Sequence, residues 1–427
     1  MSQPTTDIRT PSSGTDLPPV FEANLPARHV RSRIWRILIK LSTVVGIIFL
    51  VLLLCNIINQ SFGFVAIGNR VDPSTLAVNG VGLQDLDQGM LVIILKANIS
   101  SGLLRQLERE KPLTDLTRDE VYTLVVEKVV RPEIVSTWTL MDSLFQVDKI
   151  RAELAQDFPQ AELRFRSWIT PQFLGTPQSS NPILAGVRTA ILGSLWTVVI
   201  TILVALPVGV GAAIYLEEYA VNNRLNRAIQ TNINNLAGVP SIIYGMLGLA
   251  IFVRNLEAFT SGSAFGFSDP TTANGRTILS AGLTLALLVL PLIIINAQEA
   301  IRSVHFSLRQ ASYGVGATRW QTVWHHVLPS AMPGILTGAI LSVSRAIGET
   351  APLVVVGAAT FITFDPTSLF SKFTTLPIQI YQWTSRPQAE FRNLAAAAIL
   401  VLLVMLLSLN ASAIVLRNYF QRIRGNQ

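Results

Sequence analysis

The stretch RAIGETAPL, residues 345–353, places two opposite charges inside a long apolar segment. Arg345 and Glu349 stand four positions apart, so a helix would carry both on one face. If the segment enters the membrane near Pro333, Arg345 lies about 16 Å along a helix, close to the middle of a bilayer. A charge at that depth costs on the order of 2.5–3.5 kcal/mol even on a lenient insertion scale. The two side chains therefore need a partner or a water-lined path.

The chemistry of this pair favours an oxyanion that still carries a proton. The guanidinium of Arg345 can donate two parallel hydrogen bonds to a tetrahedral oxyanion. The carboxylate of Glu349 only accepts hydrogen bonds, so it favours a ligand that retains an O–H, such as phosphate, over fully ionised sulfate. The alternative is that Arg345 and Glu349 pair with each other and hold helices together. Both can apply at different stages of a transport cycle.

The residues around the pair predict a bent helix with further polar groups. Pro352 has no N–H, so it leaves the carbonyl of Gly348 without its helix partner and predicts a kink there. A free backbone acceptor at membrane depth is tolerated where it lines a cavity. Ser342 and Thr350 add hydroxyl groups to the same segment. Together with the charged pair, these two residues are expected to line a polar path through the membrane.

The composition of the chain is that of a membrane protein. Of its 427 residues, 50% are hydrophobic and 14% are charged, whereas soluble domains average about 25% charged residues. The net charge of +7 comes without a nucleic-acid-binding motif, and the basic residues flank apolar runs, which indicates membrane orientation and no nucleic-acid partner. The single cysteine, Cys55, lies in an apolar run. No spacing of residues predicts a metal site or a catalytic group.

The apolar runs divide the chain into a tail, a first span, an insertion and a core. Residues 1–30 are expected to form a disordered cytoplasmic tail and residues 31–59 a first transmembrane helix. Further runs of about twenty apolar residues are long enough to cross a bilayer. The core, 183–424, holds five such spans at roughly 184–215, 233–253, 277–297, 333–362 and 393–416. The distribution of Lys and Arg places both termini in the cytoplasm.

The insertion, residues 60–182, is rich in charged residues and is expected to fold outside the cytoplasm as a small α+β unit. Its segment GMLVIILKANI, 89–99, is too short to cross a bilayer and is interpreted as a buried strand. The segment DKIRAELAQDF, 148–158, has the spacing of a helix.

A loop between the third and fourth core spans, 298–332, is predicted to lie in the cytoplasm. Its part RQASYGVGATRWQTVWHHVLPSAMPG, 309–334, predicts two short helices that flank Gly314 and Gly316, with Pro329 at the end of the second. An exposed loop of this length between two spans is suited to docking a partner. Nearby, Glu217 and Glu218 are expected to be solvated.

The loop resembles the signature of the membrane subunits of type I ABC importers. That signature reads Glu-Ala-Ala, three residues, Gly, nine residues, then Ile-x-Leu-Pro. The matching positions in this chain are Gln310, Ala311, Ser312, Gly316, His326, Leu328 and Pro329. The leading Glu is replaced by Gln310 and the Ile by His326. The resemblance implies that the loop couples this chain to a separate ATPase subunit.

Other motifs narrow the resemblance to A-type permeases of phosphate-specific importers, the PstA type. They are PVGVGAAIYLEEYA at 207–220, AGVPSIIYGMLGL at 237–249 and RAIGETAPL at 345–353. The resemblance implies an all-α polytopic membrane protein of six transmembrane helices in a bacterial plasma membrane, here with the α+β insertion. It also implies a homologous C-type permease, an ATPase dimer and an extracytoplasmic phosphate-binding protein as partners.

The chain itself is expected to bind no cofactor. A nucleotide-binding loop needs Gly-Lys followed by Ser or Thr, and no lysine of this chain follows a glycine. ATP would therefore be bound by the partner ATPase. Alternatives remain: a permease for another oxyanion, a secondary transporter or channel in which Glu349 carries protons, or a sensory membrane protein in which the insertion does the work.

Overall fold

The first described element is one long helix. The computed structural model describes residues 25–71, 73–77, 81–100, 118–267, 275–358 and 365–425, together with 102, 104 and 362. Helix α1 runs from Leu25 to Ser61 without interruption. It therefore starts before the predicted span 31–59, inside the predicted tail. The rest of that tail, up to residue 24, lies outside the described residues.

The insertion contains a three-stranded antiparallel sheet in its described part. The central strand β1, Phe62–Asn69, pairs with β2, Pro132–Thr137, on one side and with β3, Glu162–Ser167, on the other. The register between β1 and β2 shifts at Ala66, which marks a bulge. The helices described in the insertion are α2 (Gln88–Asn98), α3 (Arg118–Val125), α4 (Leu140–Phe145), α5 (Val147–Asp157) and α6 (Pro171–Gly175). The α+β character and the helix predicted at 148–158 are confirmed.

The strand predicted at 89–99 is wrong, because this segment forms helix α2. Its buried residues Leu91, Ile94 and Leu95 follow the i, i+3, i+4 spacing of one helical face. The carboxylate of Asp87 caps the first turn by accepting a hydrogen bond from the N–H of Gly89 at 3.4 Å. The helical spacing and the N-terminal cap together outweigh the preference of the β-branched residues in this run for a strand.

The insertion shares a hydrophobic core with the last two membrane-domain helices. Trp168 and Phe173 from the insertion are buried in one cluster with Trp383 and Phe391. The rings of Phe173 and Trp383 lie 6.1 Å apart. The insertion is therefore packed into the domain that carries the membrane spans.

The core is helical throughout its described part. Its helices are α7 (Arg188–Ile214), α8 (Arg224–Ala237), α9 (Ser241–Gly248), α10 (Glu257–Thr260), α11 (Ile278–Arg302), α12 (Phe306–Gly314), α13 (Arg319–Thr322), α14 (Leu328–Gly348), α15 (Ala351–Val356), α16 (Leu376–Thr384) and α17 (Ala389–Gly425). Among the described residues, five helices are long and apolar enough to cross a membrane, or six if one bent pair counts as a span. The predicted all-α polytopic fold is confirmed.

Two predicted spans are broken. The span predicted at 233–253 is a helix pair: α8 ends at Ala237, and the following helix, Ser241–Asn255, turns by 107°. Gly238 and Pro240 lie at the turn, where proline cannot continue the preceding helix. The span predicted at 333–362 is also two helices, α14 and α15.

Small residues bring the central helices close together. A Cβ atom on Gly282 of α11 would lie 2.6 Å from the Cβ of Ile200 on α7. The hydroxyl of Thr201 donates a hydrogen bond across the same contact to the carbonyl of Gly282 at 3.2 Å. Close backbone approach and interhelical hydrogen bonds of this kind hold membrane helices together where lipid provides no hydrophobic driving force.

Candidate functional site

The fourth core span, predicted at 333–362, breaks at the carboxylate residue Glu349. Helix α14 ends at Gly348, and Glu349 adopts an extended conformation with φ −75° and ψ 126°. Helix α15 then begins at Ala351 with Pro352 in its first turn, where a missing N–H costs nothing. The predicted kink at Gly348 and Pro352 is therefore a break between two helices, and Pro352 starts the second of them.

Arg345 and Glu349 form an ion pair across the end of α14. The Nε of Arg345 lies 3.3 Å from Oε1 of Glu349. The Arg345 side chain is 46% exposed and that of Glu349 17% exposed. Among the described residues, no other hydrogen-bond acceptor is recorded for the guanidinium, so its two terminal nitrogens are available. The guanidinium is therefore half-exposed, whereas the carboxylate is mostly covered by the rest of the chain.

The hydroxyl groups predicted for the same path lie in two different environments. Ser342 is buried, and its hydroxyl donates to the carbonyl of Gly338 in its own helix at 2.9 Å. Its hydroxyl is therefore not exposed beside the charged pair. Thr350 lies at the break, half-buried, and its carbonyl accepts the hydrogen bond of the Val354 N–H.

The two broken segments meet at the break. A Cβ atom on Gly245 of α9 would lie 2.6 Å from the Cα of Pro352 in α15. The neighbouring Tyr244 is buried, and its hydroxyl donates to the carbonyl of Leu236 in α8 at 2.7 Å, which bridges the 107° turn. Interrupted helices packed against each other at membrane depth are typical of transport sites.

A polar contact that sequence reasoning missed joins the last helix to the residue before Arg345. The hydroxyl of Ser344 donates a hydrogen bond to Oδ1 of Asn410, in α17, at 2.6 Å. Asn410 is the one amide in the run VMLLSLNASAIV, 404–415, which otherwise holds apolar residues and two serines. A single amide in an apolar helix is the signal that could have indicated an interhelical hydrogen bond.

The loop 298–332 folds as the two predicted helices, α12 and α13, around Gly314 and Gly316. Gly316 has φ +85°, a conformation that disfavours side chains. The buried hydroxyls of Ser312 and Thr322 lie 2.8 Å apart and join the two helices. Ser312 is thus a structural residue of the loop, whereas Gln310 and Ala311 are exposed.

The outer side of this loop presents apolar and aromatic side chains to its surroundings. Trp320 and Trp324 stack with ring centroids 5.4 Å apart, and both are exposed. Phe306, Tyr313 and Val315 are exposed as well. Exposed apolar side chains on a loop of this kind are typical of a protein-interaction surface.

The second half of the loop is continuous with the fifth membrane segment. Helical backbone runs from Arg319 to Gly348 through a π-helical turn at Val323–Val327. Pro329 was predicted to end the loop helix, but it lies in the first turn of α14 and does not interrupt it. Leu328 is half-buried at the junction, whereas His326 and Pro329 are exposed. The loop and the break therefore lie at opposite ends of one continuous helix.

Two ion pairs tie the loop to the end of α7, contrary to the expectation that Glu217 and Glu218 are solvated. Glu218 accepts hydrogen bonds from Arg309 at 2.7 and 3.0 Å, with side chains 8% and 13% exposed. Arg309 also donates to two backbone carbonyls, those of Ile301 and Val304. Glu217 binds Arg302 through two hydrogen bonds at 2.7 and 2.8 Å, in a more exposed position.

Helices long and apolar enough to span a membrane, a break that carries an ion pair and an exposed loop continuous with the broken helix are together typical of the membrane subunit of a transporter. Residues 205–424 match the family described as "Binding-protein-dependent transport system inner membrane component". The chain belongs to this family, and the prediction of an ABC importer membrane subunit is confirmed.

Three relatives illustrate the similarity. The chain is 34% identical over 259 residues to the probable ABC transporter permease protein YqgI of Bacillus subtilis, covering 57% of this chain and 83% of the relative. It is 33% identical over 234 residues to the phosphate transport system permease protein PstA 1 of Mycobacterium tuberculosis, covering 54% and 70%. It is 35% identical over 208 residues to the phosphate transport system permease protein PstC of Pasteurella multocida, covering 46% and 64%.

Proposed function

We propose that this chain is the A-type permease subunit of an ATP-driven importer of inorganic phosphate and forms half of its translocation pathway. The observation that carries this choice is the ion pair at the broken segment, where a half-exposed Arg345 keeps two nitrogens available beside Glu349. Relatives named as phosphate transport system permeases support phosphate as the substrate. Ala351 and Pro352 after Gly-Glu-Thr support the A-type assignment.

The pair suits a monoprotonated phosphate. The terminal nitrogens of Arg345 would donate hydrogen bonds to two phosphate oxygens, while Nε keeps its contact with Glu349. The Glu349 carboxylate would accept the hydrogen bond of the phosphate O–H. A sulfate ion has no proton at neutral pH, so its oxygen would face the carboxylate without a hydrogen bond. This mismatch is the proposed basis of selectivity.

An ATPase subunit would dock on the loop and move the break. The helix from Arg319 to Gly348 has 30 residues, so it is about 45 Å long at 1.5 Å per residue. A displacement of the loop by the ATPase would tilt this rod and shift Glu349 at its far end. The pair would then open to one side of the membrane and afterwards to the other. ATP would be bound by the ATPase, and this chain would carry no cofactor.

The remaining partners follow from the same proposal. A homologous C-type permease would cover the exposed side of the Arg345–Glu349 pair and complete the path. Both termini and the loop 298–332 would be cytoplasmic, and the insertion 60–182 would lie outside, where a phosphate-binding protein delivers its ligand. Because the insertion shares a core with α16 and α17, docking there would act directly on the membrane helices.

Uptake of radiolabelled phosphate tests the proposal. Cells that depend on this chain for phosphate uptake would carry Arg345→Gln, Glu349→Gln or the control Arg392→Gln, an exposed arginine at the start of α17. Loss of a charge-assisted hydrogen bond is worth about 1.5–3 kcal/mol, so we expect roughly a 10- to 100-fold loss of uptake in the first two variants. The control should take up phosphate normally.

Competition separates the alternatives. Excess unlabelled phosphate should suppress uptake, whereas sulfate and molybdate should not. Normal uptake in both Arg345→Gln and Glu349→Gln would disprove the role of the pair. Uptake that survives deletion of the ATPase but collapses with the proton gradient would instead identify a secondary transporter.

A further inference from the structure

Helix α8 is a candidate membrane-surface element that the transport proposal does not use. It runs from Arg224 to Ala237 and makes an angle of 107° with the following helix, Ser241–Asn255. If that helix crosses the bilayer near its normal, α8 must lie almost parallel to the membrane plane. The sequence places polar and apolar residues of α8 on different sides, as expected for a helix at an interface.

One side of α8 is fixed to the protein. Ile233 is its only buried residue. Beside it, Gln230 and Gln298 of α11 exchange two hydrogen bonds, with Nε2–Oε1 distances of 2.8 and 3.1 Å. Gln298 is itself buried. This amide pair sets the rotation of α8 about its own axis.

A second side of α8 exposes an apolar stripe. Leu225, Ile229 and Leu236 lie within about 40° of one another around the axis at 100° per residue, and they are 67%, 37% and 44% exposed. The stripe borders the protein-facing side rather than the opposite, polar side. The adjoining helix continues this apolar surface with the exposed side chains Ile242, Ile243, Met246 and Leu247.

The charge of the region is exclusively positive. From residue 219 to residue 256 the sequence contains three arginines and no acidic residue. Two of these arginines, Arg224 and Arg227, lie in the first turn of α8 and are exposed. Anionic lipid headgroups attract such residues at the membrane surface.

We propose that α8 lies in the headgroup region of the membrane, with Leu225, Ile229 and Leu236 among acyl chains and Arg224 and Arg227 on anionic headgroups. The amide pair Gln230–Gln298 holds the helix in the rotation that this requires. The lipid thereby anchors α8, and the helix that follows it packs through Gly245 against Pro352 at the break.

Spin-label accessibility tests the proposal without relying on the transported solute. The one native cysteine, Cys55, is replaced by serine, and a nitroxide is attached to cysteine at position 225 or 229, or at the control position 231 or 234. The full-length protein, with the subunits that copurify with it, is placed in vesicles of phosphatidylethanolamine and phosphatidylglycerol. We expect a several-fold higher ratio of oxygen to nickel-chelate collisions at 225 and 229 than at 231 and 234.

Each other outcome refutes part of the proposal. High nickel accessibility at 225 and 229 would place the stripe in water. Low accessibility to both reagents would place it against a protein partner. Adding Arg224→Glu with Arg227→Glu should lower the ratio at 229 to the value at the controls; an unchanged ratio would overturn the assignment of the two arginines to headgroups.

Discussion

Replacing Arg309 by glutamine should detach the loop 298–332 from Glu218, which follows the end of α7. Arg309 donates four hydrogen bonds, two to Glu218 and one each to the carbonyls of Ile301 and Val304. Glutamine cannot reach all of these acceptors, so the substitution leaves the Glu218 carboxylate, which is 8% exposed, without its cation. The expected result is local opening of α12 rather than unfolding of the membrane helices.

The size of the expected effect on loop opening follows from the burial of the Arg309–Glu218 pair. Removing one partner of a buried ion pair costs about 3–5 kcal/mol, because the other charge stays buried and uncompensated. At tenfold per 1.4 kcal/mol, 3 kcal/mol raises the population of the opened loop roughly a hundredfold. Arg302 offers a comparison with a more solvated cation, since its side chain is 55% exposed, although its partner Glu217 is 13% exposed. Solvent screening makes such a half-exposed pair cheaper to break than a buried one, so Arg302→Gln should open the loop less than Arg309→Gln.

Limited proteolysis with chymotrypsin measures this opening, because cleavage at Tyr313 in α12 requires the helix to unfold locally. Trypsin is unsuitable, since the substitution removes one of its sites. A double variant that swaps the two charges, Glu218→Arg with Arg309→Glu, should recover part of the protection against chymotrypsin. Full recovery is not expected, because a glutamate cannot donate to the two carbonyls. Equal cleavage rates for Arg309→Gln and Arg302→Gln would refute the reasoning.

Three further substitutions test other contacts. Gly245→Ala should lower the Tm of the purified protein, since the new Cβ meets backbone at 2.6 Å, whereas Gly211→Ala, with nothing within 4 Å, should not. Asn410→Leu should cost about 0.6 kcal/mol in thermal unfolding, an average interhelical hydrogen bond. Trp320→Ala with Trp324→Ala should reduce copurification of the ATPase without lowering the Tm, because both rings are exposed.

Sequence reasoning located the elements that depend on composition and local period. Apolar runs of about twenty residues predicted the unbroken spans, because the bilayer sets their length directly. The helix at 148–158 and the two helices around Gly314 and Gly316 followed from spacing and glycine position. The error at 89–99 arose because β-branched residues favour a strand in a short apolar run, whereas the spacing of Leu91, Ile94 and Leu95 and the cap at Asp87 indicate a helix.

The contacts that complete the site could not be read from the sequence. Pairing of Glu218 with Arg309 joins residues 91 positions apart, and no local pattern encodes such a distance. The sequence did place Arg345 four positions from Glu349, and they do pair. It did not reveal that the helix ends at Gly348, between the two residues, because a proline near a helix start and a proline at a kink look alike in sequence. Whether the pair binds substrate stays a prediction.

The contact between Phe173 and Trp383, whose ring planes are tilted by 36°, has a practical consequence for the redesign of this protein. A truncation that removes residues 60–182 would expose indole and phenyl surface on the helical core and so promote aggregation. Transfer of this segment to a shorter homologue would fail because the recipient's last helices lack the matching apolar surface. Those helices would have to be mutated to provide it. The two parts must be exchanged together or left in place.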